Sequence, residues 1–558
     1  QRPQAIIVCD SSIKKQKIIH YYLAISIYYV ICPDMTIDIA TLPDDRVQLK
    51  QMLVDFQDRF DKETGILLEQ IRLLRSQLYG RKSEKTMPEG GPQPLPLFDM
   101  PEPSGEEEKE EEVVVPTHTR KKKGRKPLPE NLPRVERVHD IDPSEKICAC
   151  GTELSRIGEE VSEQLEIIPA KIQVIRNIRP KYACRNCEVV EDNGPTVKIA
   201  PVPAQIIPKS IATPGLLAHI LTGKFIDHTP FYRQEKQFLR LGVELSRTTM
   251  CKWAMKAAVI CQPLLNLLTD EILAGFYMNI DETTLQVLQE PGRDPTTKSY
   301  MWVFRRGDPE RPVLIYQYHP TRSGDVVREF LRDFEGYVQT DGYSGYDFLA
   351  HQKKIRHVGC WAHVRRKFTD VVKARGANGK TGSADVALNY IRRLYALEKE
   401  AREKSFTFDE IRLMREERAK PILEEFKAWL SKKSLQTPPK GLLGKAVSYA
   451  LNQWEKLVGY LEDGRIALDN NMAENSIRPF VIGRKNWLFS GTPEGAEASA
   501  LLYSLIQTAK ANNLEPYAYL RYIFDRLPLA SMLEDYEALL PWNVTPENLG
   551  IVAPARCG

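Results

Sequence analysis

The sequence predicts a multidomain α+β protein organised around an α/β core that carries a helical insertion. Three observations lead there. Between residues 276 and 373 short apolar runs follow the order strand, strand, strand, helix, strand, strand, helix. Far upstream, four of the ten cysteines form two close pairs. Earlier still, a heptad-like apolar pattern gives way to a long polar stretch. A chain of 558 residues is too long for one core. Its 42% apolar content and mean hydropathy of −0.37 exclude a polytopic membrane protein. The net charge of +4 says little, but basic residues cluster in short stretches suited to phosphate.

At the amino terminus, Ile18 to Cys32 follow a short basic stretch and imitate a signal peptide. The run is too short to span a bilayer and contains His20. The chain begins with Gln1, and sequence of a different character starts at Met35. Residues 1–34 are therefore expected to be a non-native or disordered extension. Leu49, Leu53, Phe56, Phe60, Leu67, Ile71, Leu74 and Leu78 then recur at three- and four-residue steps, interrupted around Glu63–Gly65. This predicts a coiled-coil, leucine-zipper-like helix over 46–80 and a homo-oligomer formed through it. The alternative is a helix packed on the chain's own core.

Residues 81–140 combine Pro-rich, acidic and basic runs and predict a disordered charged linker. Within it, Arg125 and Lys126 of GRKP are placed for a narrow minor groove, or for nonspecific attraction to phosphate. Next, Cys148-x-Cys150 and Cys184-x-x-Cys187 stand 33 residues apart. Two such pairs joined by strand-like segments suit a tetrahedral structural Zn2+ and define a zinc-binding module over 141–200. Four thiolates leave no open position for a substrate.

A helical domain is expected over 201–270. LRLGVELSRTTMCKWAMKAA (239–258) reads as helix, Gly-containing turn and second helix with Ser246 as N-cap. In a helix-turn-helix this plan would set Arg247, Thr248, Thr249 and Lys252 against a DNA groove. Many helical hairpins share the plan without touching DNA.

The core is expected over 275–525. Strands are predicted at 276–288, 300–306, 312–319, 336–341 and 354–360, with helices at 323–334 and 361–373. Three antiparallel strands, a crossover helix and further strands match a ribonuclease-H-like α/β fold. Asp281 lies inside the first strand, Asp341 ends the fourth, and Glu474 opens a helix-like segment. Alternation puts Asp281 on one face with Asn279 and Thr283, and Glu282 on the other. Carboxylates in buried strands are costly unless cations neutralise them, and a pair of divalent ions is the usual solution. Of the 132 residues between Asp341 and Glu474, 383–460 look like a helical insertion. Glu474 has a competing role, since Asn471-x-x-Glu474 is a capping-box pattern and Pro479 would end or kink the helix early. A basic cluster of Arg356, His357, His363, Arg365, Arg366 and Lys367 surrounds Cys360-x-x-His363. With no second pair nearby in sequence, the Cys-x-x-His pair is not assigned a metal. His363 and the arginines are expected to contact phosphate or orient the acids. Arg478, Arg484 and Lys485 are expected to grip a DNA strand, and 526–558 to form a C-terminal tail.

IDETTLQVL, VQTDGYSGYD, HVGCWAHVRRKF and DNNMAENSIRPFVIGRKNWLFSGT resemble segments of the transposases of the bacterial insertion-sequence 66 family. LYGRKSEK, KPLPENLPR and the CACG…CRNC pairs agree, so the resemblance covers about residues 35–550. It implies a DDE transposase with a ribonuclease-H-like core in which Asp281, Asp341 and Glu474 are the acidic triad. Two Mg2+ ions (or Mn2+) held by the triad would serve cleavage at the element's terminal inverted repeats and joining to target DNA. It also implies accessory proteins from the same element, no membrane, and a cytoplasmic, nucleoid-associated location. A Lys seven residues after the Glu, usual in another transposase family, is absent, since that position is Val481. Two other readings remain: a catalytically inactive DNA-binding or regulatory relic, and a ribonuclease or Holliday-junction nuclease on the same fold.

Overall fold

A computed structural model describes residues 46–79, 172–183, 197–307, 311–375, 381–545 and 547–549. The expected extension 1–34, the linker 81–140 with Arg125 and Lys126, and Cys148, Cys150, Cys184 and Cys187 lie outside the described residues. The chain divides into two compact units, one containing the first helix and the other both sheets.

That helix, α1 (Arg46–Tyr79), runs 34 residues. It passes without a break through Gly65, where the heptad spacing falters. Hydrogen bonds from Gln51 to Asp55 and Gln57 to Asp61 support its exposed surface one turn apart. Leu67, Leu68, Ile71 and Leu74 form an apolar stripe that is exposed in the single chain.

In the second unit, β1 (Lys181–Ala183) and β2 (Val197–Ile199) make a small antiparallel ribbon. Four helices follow: α2 (Pro214–Phe225), α3 (Phe231–Arg240), α4 (Arg247–Ile260) and α5 (Gln262–Leu273). The turn between α3 and α4 uses Gly242 at φ +80°, a conformation that favours glycine. As expected, Ser246 caps α4, its hydroxyl accepting the Thr249 N–H at 3.2 Å.

The central sheet is built from β3 (Tyr277–Gln286), β4 (Lys298–Arg306), β5 (Leu314–His319), β6 (Gly336–Gln339) and β7 (Ile355–Val358). In space the order is β5-β4-β3-β6-β7. The first three strands meander antiparallel, while β6 and β7 run parallel to β3. A parallel return needs a crossover, which α6 (Gly324–Phe330) supplies. β3 reads as buried for its first half because it lies between two neighbours and under a helix.

Helix α7 (Trp361–Arg375) leaves the end of β7, and the helical insertion follows with α8 (Ser383–Glu403), α9 (Phe408–Met414), α10 (Lys420–Gln436), α11 (Leu442–Asn452) and α12 (Trp454–Leu457). A π-helical turn at Arg415–Ala419 joins α9 to α10. There the buried Arg415 forks onto Glu398 at 2.8 Å and donates to the carbonyls of Tyr460, Asp463 and Ile466. The insertion is thereby fastened to the loop that returns the chain to the sheet.

Helix α13 (Asn471–Trp487) then lies across β3 and β4. The expectation that Pro479 would end or kink it early is not met, for the helix continues eight residues beyond. Proline removes one intrahelical bond, but Ala473, Ile477 and Phe480 bury the same face on both sides of it. Helix α14 (Pro493–Ala511) covers the free edge of β5. Its Ser504 and Thr508 hydroxyls accept the outward N–H groups of Tyr316 and Leu314 at 2.8 and 3.0 Å. An exposed strand edge is thus closed by side chains. The C-terminal segment packs beyond α15 (Pro516–Arg526) and α16 (Leu533–Glu537), burying Leu539, Leu540 and Val544 in the core.

Candidate active site

The site is set by strand register. β3 and β6 pair Tyr277 with Tyr337 and Asn279 with Gln339. Two residues further on, each strand carries an aspartate: Asp281 within β3, Asp341 just past the end of β6. Backbone N–H groups hold both, Glu282 N–H donating to Asp281 and Tyr343 N–H to Asp341 at 2.9 Å each.

Glu474 arrives from the first turn of α13, and the capping-box alternative does not form. The helix begins after Asn470, whose side chain points inward instead of capping. Asn279 donates to Asn470 Oδ1 and Asn470 donates to the carbonyl of Ile280, each at 2.9 Å. Asn279 also donates to Gln339, which donates to the carbonyls of Gly359 and Ala467. Tyr277 closes the network by donating to Gln339. All of these side chains are buried, so the network fixes β3, β6 and the start of α13 as one block.

With the helix so placed, the Glu474 carboxylate faces α7. Its Oε2 lies 3.4 Å from Arg366 and its Oε1 lies 3.8 Å from His363 Nδ1. Neither Oε1 nor that ring nitrogen, both buried, has a hydrogen-bond partner. Asp281 is pushed well above the ordinary carboxyl range, first by burial and then by the charges of Glu282, Asp341 and Glu474. The charges of Asp341 and Glu474 thus both reach Asp281. Among the described residues, Cys360, His363 and Glu474 form a group of three possible ligands whose donor atoms all lie within 4.8 Å.

Glu282 faces the other side of β3, as alternation requires. It is held by Arg322 and by the Tyr346 hydroxyl, and Arg322 stacks 3.7 Å above the Tyr343 ring.

The expected basic cluster is only partly assembled. His357 is buried, its Nε2 2.8 Å from the Thr340 hydroxyl, and burial with nearby cations lowers its pKa to about 3. Arg356 pairs with Glu462 at 2.7 Å. Arg365 and Lys367 remain on the exposed side of α7. Arg478 and Lys485 are exposed on α13, whereas Arg484 turns inward and donates to Thr283 and Thr284. Arg484 therefore fastens α13 to β3. On α4, Arg247, Thr248 and Lys252 are exposed, and Thr249 is half-buried at the cap. Sequence reasoning did not single out Asn470 or Gln339. No local pattern marks them, because their partners lie 20 to 191 residues away.

A mixed five-stranded sheet flanked by helices, with aspartates at matched positions of its central parallel strands, defines an α/β protein. Family comparisons identify the lineage. Residues 209–498 match the model described as Transposase IS66 family. Residues 145–188 match the zinc-finger binding domain of transposase IS66, 504–542 the IS66 C-terminal element, and 66–137 a model described as Transposase C of IS166 homeodomain. Curated relatives from Sinorhizobium fredii include the uncharacterised protein y4jD, 36% identical over 76% of this chain and 83% of that protein. The uncharacterised y4hP is 30% identical over 85% of this chain and 87% of its own length. The chain belongs to the IS66 transposase family. It is accordingly a transposase that acts on nucleic acid, with a zinc-finger domain that supports bound Zn2+. Among the described residues no helix is long and apolar enough to cross a membrane.

Proposed function

We propose that the chain is a DDE-type transposase whose acids Asp281, Asp341 and Glu474 direct cleavage at the ends of its element and transfer of those ends into target DNA. The observation that carries this reading is the matched placement of Asp281 within β3 and Asp341 just past the end of the parallel β6, together with the Asn279–Asn470 bond that ties the start of the Glu474 helix to β3. The strand order, antiparallel for β3 to β5 and parallel for β6 and β7, supports a ribonuclease-H-like core.

The residues fit a divalent cation. Asp281 is destabilised as an anion by burial and by its acidic neighbours, and the buried Oε1 of Glu474 has no donor. Mg2+ or Mn2+ bound there, as two ions, would activate an oxygen nucleophile and stabilise the leaving 3′ oxygen. The chain's own residues do the positioning. Backbone N–H groups orient the two aspartates, the Asn279–Asn470 bond sets the third acid, and Arg366 holds the Glu474 carboxylate from behind. Exposed Arg365, Lys367, Arg478 and Lys485 lie on the two helices flanking the site and are suited to the DNA backbone. Arg247, Thr248 and Lys252 on α4 are suited to recognising element ends, with Arg125 and Lys126 as an auxiliary contact. Cys148, Cys150, Cys184 and Cys187 would hold the structural Zn2+. The exposed stripe of α1 would pair protomers so that two ends are held together.

The test is incubation of purified chain with end-containing DNA in Mg2+. Asp281→Asn, Asp341→Asn and Glu474→Gln should each abolish cleavage and joining while leaving end binding intact. End binding without any cleavage by the unmodified chain would instead establish a DNA-binding relic.

A further inference from the structure

We infer that Cys360, His363 and Glu474 form a second, thiolate-containing cation site that takes a borderline metal such as Zn2+. Sequence alone offers only the Cys-x-x-His pair, and the fold supplies the third donor from α13. Cys360 Sγ, a ring nitrogen of His363 and a Glu474 oxygen all lie within 4.8 Å of one another. In a zinc tetrahedron with Zn–S near ~2.3 Å and Zn–N or Zn–O near ~2.0 Å, ligand atoms sit roughly 3.3–3.6 Å apart. The 3.8 Å between His363 Nδ1 and Glu474 Oε1 is therefore close to the length a shared ion needs.

A further feature points to a ligand. The facing atoms of His363 and Glu474 are both buried and both without hydrogen-bond partners, an arrangement an ion would satisfy. Cys360 immediately precedes α7, and its sulfur accepts the Asn470 N–H at 3.2 Å, which only partly offsets the burial that pushes the free thiol up to about 12. A coordinated thiol loses its proton to the metal's field. Arg366, 3.4 Å from the other Glu474 oxygen, opposes a cation, and nearby Asp341 offsets it. Mixed sulfur, nitrogen and oxygen donors select Zn2+ over Mg2+, and three protein ligands leave a fourth position open.

Glu474 belongs to both sets of donors. On the proposed reading of the acidic triad, filling this site withdraws Glu474 from the catalytic cations, so Zn2+ acts as a reversible inhibitor of Mg2+-supported cleavage.

The experiment uses full-length chain with its zinc-finger domain loaded with Zn2+, titrated with Co2+ in the presence of Mg2+. One additional Co2+ should bind with a thiolate-to-cobalt charge-transfer band. That band should vanish in Cys360→Ser, and its apparent affinity should fall at least tenfold in His363→Ala and Glu474→Gln, with finger zinc unchanged. Circular dichroism melts identify any variant that fails to fold, and the other variants then decide. A missing band in the unmodified chain, or an equal one in folded Cys360→Ser, overturns the site. Added Zn2+ should lower the Mg2+ cleavage rate of the unmodified chain at least tenfold, while the ratio with and without Zn2+ stays near one in Cys360→Ser. A chain that cleaves no DNA under any condition would refute the proposed chemistry, and the cobalt band would still decide the site.

Discussion

Asn279 and Asn470, 191 residues apart in the chain, share a 2.9 Å hydrogen bond at the base of the acidic cluster. One belongs to β3 and the other to the start of α13, so this bond sets where Glu474 stands relative to Asp281. Replacing Asn470 by Ala leaves Asn279 and the Ile280 carbonyl short of a partner in a buried place. Each orphaned group costs about 1–3 kcal/mol, so the variant should lose roughly 3 kcal/mol of stability in chemical denaturation. DNA cleavage should fall further than stability explains, because the third acid loses its anchor. An Asn470→Ala chain with unmodified cleavage would show that the lock does not position Glu474.

Asp281 gives a pH signature with a definite sign. Its folded pKa is raised, so between the ordinary value of 3.8 and that raised value the folded chain keeps a proton the unfolded chain has released. In magnesium-free buffer this contribution to stability is greatest below pH 3.8 and is lost as pH rises through the folded pKa. Asp281→Asn removes the titration, so the variant should gain on the unmodified chain as pH rises, and melt higher at neutral pH. Mg2+ should raise the melting temperature of the unmodified chain more than that of the variant. Cleavage should fall by roughly 10³-fold or more, corresponding to several kcal/mol of transition-state stabilisation. Parallel stability curves for the two proteins across pH would contradict this account.

His357 titrates in the opposite sense. Buried beside Thr340, it has its pKa lowered to about 3 by burial first and then by Lys456. Between that value and the unfolded value of 6.5, the unfolded chain binds the extra proton. Stability from this group is complete above pH 6.5 and is lost as pH falls toward 3, an effect of about 5 kcal/mol. His357→Gln should flatten the acid limb of the stability curve in that window, read by urea denaturation. An unaltered acid limb would show that another group governs it.

The core strands were legible in sequence because strands covered on both faces read as short continuous apolar runs. Strands expected at 300–306 and 312–319 are found at Lys298–Arg306 and Leu314–His319, and Ser246 caps the helix it was expected to cap. What was hidden depends on partners distant in the chain. Asn471-x-x-Glu474 looks like a capping box, yet the helix starts from an Asn470 whose amide faces β3, which frees Glu474 for α7. Arg484 reads as a surface cation beside Lys485, but one step around the helix turns it onto Thr283. Cys360 and His363 lacked a third ligand because that donor lies 111 residues further along.

Arg415 shows how the insertion is tied to the core. Its guanidinium is buried, paired with both oxygens of Glu398 and with three carbonyls from the loop at 460–466. Arg415→Ala leaves Glu398 and those carbonyls uncompensated, and breaking such a pair on one side costs about 3–5 kcal/mol. The variant should melt well below the unmodified chain, and α13, which follows this loop, should gain amide hydrogen-exchange rate near its first turn. Exchange confined to α9 and α10 would show that the loop is held by other contacts.

Recognition and chemistry should separate on α4. Arg247, Thr248 and Lys252 are exposed on the helix that Ser246 caps, and no contact described for α4 reaches the acidic cluster. Each cation that neutralises a phosphate releases condensed counterions, so the salt dependence of binding counts the contacts. Arg247→Ala and Lys252→Ala should each weaken binding to end-containing duplex and reduce the slope of log affinity against log salt by about 1. Thr248→Val should leave that slope unchanged and lower only the preference for end sequence over random duplex. Cleavage at saturating DNA should stay near that of the unmodified chain in all three, because the acids and the Asn470 lock are untouched. Variants that keep both affinity and salt slope would place end recognition outside this helix, and attention would pass to the zinc-finger domain.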